Sequence, residues 1–229
     1  MQAGIDLTRN MAYDRYTANI MRGLLRHDSN CIDVGSHNGE ILGRILRLAP
    51  GGRHYAFEPI PEYYQALVRM YGDRATVLPY ALSDKDGETN FHYVRNDPAY
   101  SGLRKRSYAT STPDICEIRV QTRALDNVIP PGTCIHFMKI DVEGAEYDVM
   151  KGARALIKEC RPVIVFEFGL GASEYYHTNP EDVYKLLREE CGLRISLLKD
   201  YPGKNNALSF EAFAKHYQDK TEYYFIAHP

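Results

Sequence analysis

Hydrophobic positions along this chain fall into short dense runs separated by stripes of helical spacing. From Asn30 the alternation is regular. CIDVG, residues 31–35, is an apolar run closing on a glycine turn, and NGEILGRILRL follows with Ile41, Leu42, Ile45, Leu46 and Leu48 at helical spacing. RHYAFEP (53–59) predicts a second strand. PEYYQALVRMYG then predicts a helix, with Pro61 near its first position, Glu62 in its first turn and Gly72 past its end. ATVLPYAL (75–82) is a third strand. CIHFMKIDV (134–142) is a fourth, followed by the helix AEYDVMKGARALI, and RPVIVFEFG (161–169) is a fifth, followed by a helix over PEDVYKLLREE. Strands that are nearly continuous in apolar residues and separated by helices predict an α/β fold, a parallel sheet covered on both faces.

Three segments break the rhythm. Residues 11–26, within an N-terminal segment 1–29, predict an amphipathic helix packed on the sheet ahead of the first strand. Residues 88–126 hold two β-like pieces, TNFHYV and EIRVQT, around the turn-rich NDPAYSGLRKRSYATSTPD, so residues 96–114 are a candidate lid. At the C-terminus LRISLL and EYYFIAHP predict two more strands, with a helix from Ser209 between them. Without an internal repeat or a linker, residues 1–229 read as one domain.

Composition narrows the function classes. With 44% hydrophobic and 25% charged residues the chain can bury one large core, and a net charge of −2 gives no global reason for a nucleic-acid or anionic-membrane partner. The basic cluster Arg104-Lys105-Arg106 reads as a solvated loop. No apolar run reaches a membrane span and the first ten residues are not a signal peptide. Five cysteines without metal spacing predict reduced thiols in a cytoplasmic protein.

Ligands of an open parallel sheet sit outside the carboxyl ends of its strands. The turn after the first strand is DVGSHNG, with Asp33, Gly35, Ser36, Asn38 and Gly39, and the helix that begins there offers free N–H groups. Its spacing is neither that of a dinucleotide turn nor that of a phosphate loop, and no lysine follows Gly39. Glu58 closes the second strand, where an acid can accept from both hydroxyls of a ribose; the plainer role is a surface carboxylate capping the helix opened by Pro61. Taken together, turn and acid describe a nucleoside site. Ser83 and Asp84, after the third strand, lie where the base would sit.

IDVGSHNGE, AFEPIPEYY, ALSDKDG, SGL at 101–103, KIDVEGAEYDVMKGA and PVIVFEF, in this order over residues 30–170, resemble the FkbM-type family of S-adenosylmethionine-dependent methyltransferases. The KIDVEGAE block is the most family-specific part. The resemblance implies a class I methyltransferase (Rossmann-like) fold: a seven-stranded, mostly parallel sheet with helices on both faces and an antiparallel last strand, EYYFIAHP. It also implies the cofactor S-adenosyl-L-methionine and O-methylation of a small-molecule acceptor, a sugar or natural-product hydroxyl.

In that fold Asp141 ends the fourth strand beside the first, so Asp33 and Asp141 flank a cleft suited to a sulfonium and an ammonium. Asp141, Glu143 and Glu167, from neighbouring strand ends, are the candidate catalytic residues, with Asp141 also touching the cofactor. Asp141 or Glu143 orients or deprotonates the acceptor and Glu167 supports them. Acids gathered at one strand end need a cation, a proton or a donor to offset repulsion. A divalent cation would suit these three carboxylates, but without a clear further ligand a metal is not favoured. Glu146 reads as a helix-start charge. Lys139, next to Ile140, is expected to face away from the neighbours of Asp141. His37 and His177 read as polar loop residues rather than bases, and Tyr100, Ser101, Arg104 and Tyr108 of the lid would cover the acceptor. The competing readings are a nucleotide-dependent oxidoreductase, a non-catalytic binding protein on the same fold, and an N-methylating enzyme.

Overall fold

The computed structural model of the chain describes residues 8–108, 111–203 and 206–229. Its elements in chain order begin with α1 (Arg9–Leu24), β1 (Cys31–Val34), α2 (Glu40–Leu48), β2 (His54–Phe57) and α3 (Pro61–Tyr71). Four strands follow: β3 (Thr76–Leu78), β4 (Tyr80–Leu82), β5 (Gly87–Val94) and β6 (Ile115–Arg123). The rest are β7 (Phe137–Ile140), α4 (Glu146–Gly152), α5 (Arg154–Cys160), β8 (Val163–Glu167), α6 (Pro180–Tyr184), β9 (Arg194–Leu197), α7 (Phe210–Gln218) and β10 (Tyr224–His228). Helix α1 starts on Thr8, whose hydroxyl accepts from the Met11 N–H, a capping arrangement that satisfies one orphan donor.

Seven strands form the main sheet in the order β3-β2-β1-β7-β8-β10-β9. β10 runs antiparallel to both its neighbours, and the other pairs are parallel. This is the seven-stranded architecture that the resemblance implies. Strand order reverses between β1 and β7, so the crevice outside their carboxyl ends is where a ligand belongs.

Side-chain alternation decides what faces that crevice. Ile32, Val34, Met138, Ile140, Ile164 and Phe166 enter the core on one face of the sheet. Cys31, Phe137, Val163, Val165 and Ile226 take the other face, under Tyr13, Ile20 and Met21 of α1. Continuing the second series by twos along each strand gives Asp33, Lys139, Asp141, Glu167 and Tyr224. Five polar side chains thus share one face, at the end where the apolar covering of α1 runs out.

Two predicted elements divide. ATVLPYAL is two strands: β3 joins the main sheet, while β4 pairs with β6 in a second sheet of order β4-β6-β5. Pro79 stands between them; it has no N–H to give to a ladder. The helix after the fourth strand breaks at Ala153 into α4 and α5. The region 88–126 is largely ordered β structure, since β5 and β6 pair over eight residues. What remains of the lid is the connection from 95 to 114, of which 109 and 110 lie outside the described residues. Among the described residues no helix is long and apolar enough to cross a membrane.

Candidate active site

The turn after β1 is built for close approach. Gly35 has φ +76°, and a Cβ there would lie 2.0 Å from the Asp141 carbonyl oxygen, so only glycine lets the β1 and β7 loops touch. Gly39, at φ +79°, begins α2. Ser36 donates through Oγ to the Asp33 carbonyl at 2.9 Å and through its N–H to the Phe57 carbonyl. Exposed Asn38 accepts from the Glu40 N–H at 3.4 Å.

Glu58 is buried, not at the surface. Its Oε2 accepts from the His37 N–H at 2.8 Å and its Oε1 from the Ile60 N–H at 2.9 Å, at the head of α3. It therefore ties the β1 turn to the β2 turn, and each oxygen keeps a second lone pair. Burial pushes its carboxyl up to about 7. His37 adopts φ +45°, and its ring stacks 4.3 Å from that of Tyr63. Burial holds His37 below the usual histidine range, so the ring is neutral.

Two cavities open on this side of Asp141. The first is walled by Val34, Phe57, Ile60, Leu82 and Phe91, with Glu58, Asp141 and Glu143 as its acids. The second is polar, lined by Asp14, Asp33, Ser36, Asn38 and Glu40 among others. Asp33 is 1% exposed, and its Oδ2 has no hydrogen-bond partner among the described residues. Burial pushes Asp33 up to about 6, against the pull of Lys139. Gly35, His37 and Asp141 line both cavities. Ser83 and Asp84, expected beside a base, line neither. Asp84 is drawn to Lys151 of α4, and the Ser83 carbonyl packs where a Cβ on Gly152 would lie 2.0 Å away, so Ala81 and Leu82 form the wall instead.

A third cavity lies beyond Asp141, under the lid, with a volume of about 620 Å³. That is within the ~300–1,000 Å³ range of small-molecule sites. It brings Asp141, Glu143 and Glu167 together with Arg106, Tyr108 and Tyr223. The three carboxylates offer oxygens within 4.8 Å of one another, a spacing that would also serve a cation. Two cations of the chain already lie on them. Lys139 Nζ is 2.5 Å from Asp141 Oδ2, contrary to the expectation that Lys139 turns away; residues two apart on a strand share a face. Arg106 pairs with Glu143. Its side chain is only 8% exposed, so the basic cluster is not wholly solvated.

The carboxylates differ in what they hold. Burial would push Asp141 up, but Lys139, Glu167 and the Tyr224 hydroxyl, 2.6 Å away, bring it down to about 2. Burial, with the Asp141 and Glu143 charges, drives Glu167 well above the usual carboxylate range. The hydrogen bond it shares with Asp141 lowers Asp141 and raises Glu167, so of the two Glu167 is the one pushed toward its protonated form. Burial and the Asp141 charge push Glu143 up to about 8 despite Arg106. Glu143 sits at φ +61°, a left-handed conformation uncommon for a non-glycine residue.

Glu146 has the structural part assigned to it, in a stronger form. It is 1% exposed and its Oε1 accepts from the Val142 N–H at 2.9 Å and the Gly144 N–H at 3.1 Å, clamping the loop that carries Glu143. In the lid, Ser101 lines the first cavity and Tyr100 and Tyr108 the third. Arg104 stays exposed, stacked 6.0 Å over the Tyr176 ring, and its N–H donates to the Tyr176 hydroxyl. Neither it nor His177 lines the three cavities. Sequence reasoning missed Arg106 and Tyr224. Nothing in a basic turn distinguishes its one buried member, whereas Tyr224 follows from the antiparallel register that sets it opposite Glu167.

Comparison with known proteins agrees with this architecture. Residues 33–195 match the model of the methyltransferase FkbM domain. The chain is 27% identical over 152 residues to the 2-O-methyltransferase NoeI of Sinorhizobium fredii, covering 60% of this chain and 63% of that protein. It is 33% identical over 163 residues to the hexuronic acid methyltransferase AglP of Haloferax volcanii, covering 69% of this chain and 60% of that protein. The chain thus spans about three-fifths of the length of the curated relatives it matches. In fold it is similar to the crystal structure of methyltransferase FkbM from Methylobacillus flagellatus KT, with a TM-score of 0.56, 20% identity, and coverage of 90% of this chain and 45% of that one. The match over residues 33–195 spans most of the chain, turn and carboxylates included, and the chain belongs to the FkbM methyltransferase family.

Proposed function

We propose that the chain transfers a methyl group from S-adenosylmethionine to a hydroxyl of a sugar or similar small molecule. The observation that carries this reading is the place of Asp141, the one strand-end carboxylate common to all three cavities. Family membership and the named activities of the two curated relatives support it.

The residues present fit the cofactor. The apolar first cavity suits an adenine, with Glu58 available to ribose hydroxyls. The buried, unpartnered Asp33 Oδ2, with Asp14 and Glu40 lining the same cavity, suits an ammonium group. Gly35 leaves the room that backbone approach needs. Asp33, Gly35, Ser36, Asn38, Gly39, Glu58 and Asp141 are the residues proposed to hold it. Ser83 and Asp84 are set aside.

When bound, S-adenosylmethionine supplies an electrophilic methyl on a sulfonium. The chain's residues align the acceptor and manage its proton. Asp141, ionised and fixed by Lys139, Tyr224 and Glu167, orients the acceptor hydroxyl from the junction. Glu143, with a carboxyl near 8, is the proton acceptor, since a base works best with its pKa near the working pH. With the cofactor bound, its methyl would pass to the acceptor oxygen as the sulfonium becomes a neutral thioether, and Glu143 would take the hydroxyl proton. Glu167, pushed toward its protonated form, holds Asp141 in place. Loop 95–108 walls the acceptor cavity through Ala99, Tyr100, Arg106, Ser107 and Tyr108.

The test is transfer of methyl label from S-adenosylmethionine to a panel of glycosides, with mass analysis of the products. An O-methyl ether is expected. An N-methylated product, or no transfer to any acceptor despite tight cofactor binding, contradicts the reading and favours a different acceptor atom or a non-catalytic member.

A further inference from the structure

The third cavity contains two buried donors that the chain itself does not use. Arg106 is held by Glu143 through one nitrogen and by the Tyr100 ring, which lies 4.6 Å beneath its guanidinium. Its Nε has no hydrogen-bond partner among the described residues, and the same holds for the buried Tyr108 hydroxyl. Both residues line the cavity. A buried donor left unsatisfied costs about 1–3 kcal/mol, more when it is charged. A lid closed with two such donors on its inner side carries that cost until something with acceptor oxygens enters.

The charge around them selects the kind of acceptor. Lys139 and Asp141 cancel as a contact pair, which leaves Arg106 facing Glu143. Arg106 spends one nitrogen on Glu143 and keeps its Nε edge open, the fork geometry that the two oxygens of a carboxylate match. A neutral hydroxyl would satisfy the geometry of one donor and leave the other unmet. A carboxylate supplies both the oxygens and the charge.

Resting on the methyltransferase reading, we propose that the Arg106 guanidinium and the Tyr108 hydroxyl anchor a carboxylate on the acceptor, so that the substrate is an acidic, uronate-type sugar methylated on a hydroxyl. The anchor has a consequence for the chemistry. A carboxylate that takes over Arg106 loosens its hold on Glu143, which becomes a stronger base only when the right acceptor is bound.

The experiment compares methyl glucuronoside with methyl glucoside and its 6-sulfate. Each is titrated into the S-adenosylhomocysteine complex and assayed for methyl transfer, in the wild type and in Arg106→Gln, Arg106→Lys and Tyr108→Phe. The wild type is expected to favour glucuronoside over glucoside by about 30-fold, as a charge-assisted hydrogen bond of ~2 kcal/mol gives. Arg106→Gln should bring that ratio to about 1, Arg106→Lys should keep part of it, and Tyr108→Phe should lower it several-fold. Equal responses to the two glycosides, including none to either, overturn the proposal. So does a ratio unchanged in Arg106→Gln, or a methyl ester as the product. Preference for the 6-sulfate replaces the carboxylate with a tetrahedral anion and overturns the uronate assignment. Binding of S-adenosylhomocysteine does not depend on Arg106, and its absence in the wild type would mark failure of the methyltransferase reading instead.

Discussion

The two sides of Asp141 are built differently. On the β1–β2 side the walls centre on the turn from Asp33 to Asn38, Glu58 at the end of β2 and Leu82 at the end of β4, closed by Asp14 of α1, Phe91 of β5 and Ser101 of the lid. Glycine and buried hydrogen bonds fix this side, and Glu58 alone clasps two loops. On the β8–β10 side the cavity is assembled from Asn10, the lid, the loop after β8 and the start of β10, segments up to about two hundred residues apart. Here charged and phenolic side chains do the shaping, and two donors remain open. Under the proposed function the more rigid side holds the cofactor and the other takes the acceptor, and that division is what the contrast teaches.

Breaking the rigid side should have the largest effect. Gly35→Ala adds a Cβ 2.0 Å from the Asp141 carbonyl at φ +76°, so the two loops cannot both keep their places. Loss of cofactor binding is expected, with destabilisation of about 2–4 kcal/mol, read by calorimetry and thermal melting. A variant with wild-type affinity would show that the loops do not need their contact.

Next comes the pair that shares the β7 loop. Glu143→Gln is expected to lower kcat by about 10²–10⁴ without unfolding the protein. Its effect on stability has a definite sign. The folded carboxyl, near 8, holds a proton that the unfolded chain releases near 4.5, so unfolding free energy falls as pH rises from about 5 to 8. Glu143→Gln should flatten that fall in a series of thermal melts, and an equally steep wild-type and variant curve would remove Glu143 from the account. Glu146→Gln, three residues on, keeps one acceptor for the Val142 and Gly144 N–H groups. A loss of about tenfold in kcat is expected, through misplacement of Glu143 rather than through the chemistry. Its pH–rate profile should therefore keep the wild-type rise toward pH 8.

The smallest effect belongs to Tyr224→Phe. It removes one of the bonds to Asp141 and leaves Lys139 in place, so a change of severalfold in kcat/KM is expected, with Asp141 titrating higher. A loss as large as that of Glu143→Gln would make Tyr224 a proton carrier and redraw the mechanism.

The same contrast explains what could be read from sequence. The strand–helix rhythm, the glycine turn, Glu58 and the strand-end acids are local patterns, and the fold brings them to one end of the sheet. Pro79, dividing the third predicted strand, was visible as a proline but not as a switch between sheets. Ser83 and Asp84 failed because Lys151 and Gly152 of another segment claim them. Arg106 failed for the converse reason: a charge in a polar loop looks solvated until a carboxylate in a distant strand-end loop buries it. Lys139 was misplaced by counting from Ile140 instead of from Asp141.

The most direct test of the account is calorimetric titration of the wild type and Glu58→Gln with S-adenosylhomocysteine, with NAD⁺ as the control. Micromolar binding to the wild type is expected, weakened at least tenfold by the substitution because one buried acceptor oxygen becomes a donor. No response to S-adenosylhomocysteine, or tight binding of NAD⁺ in its place, would contradict the assignment of the first two cavities and with it the methyl-transfer reading.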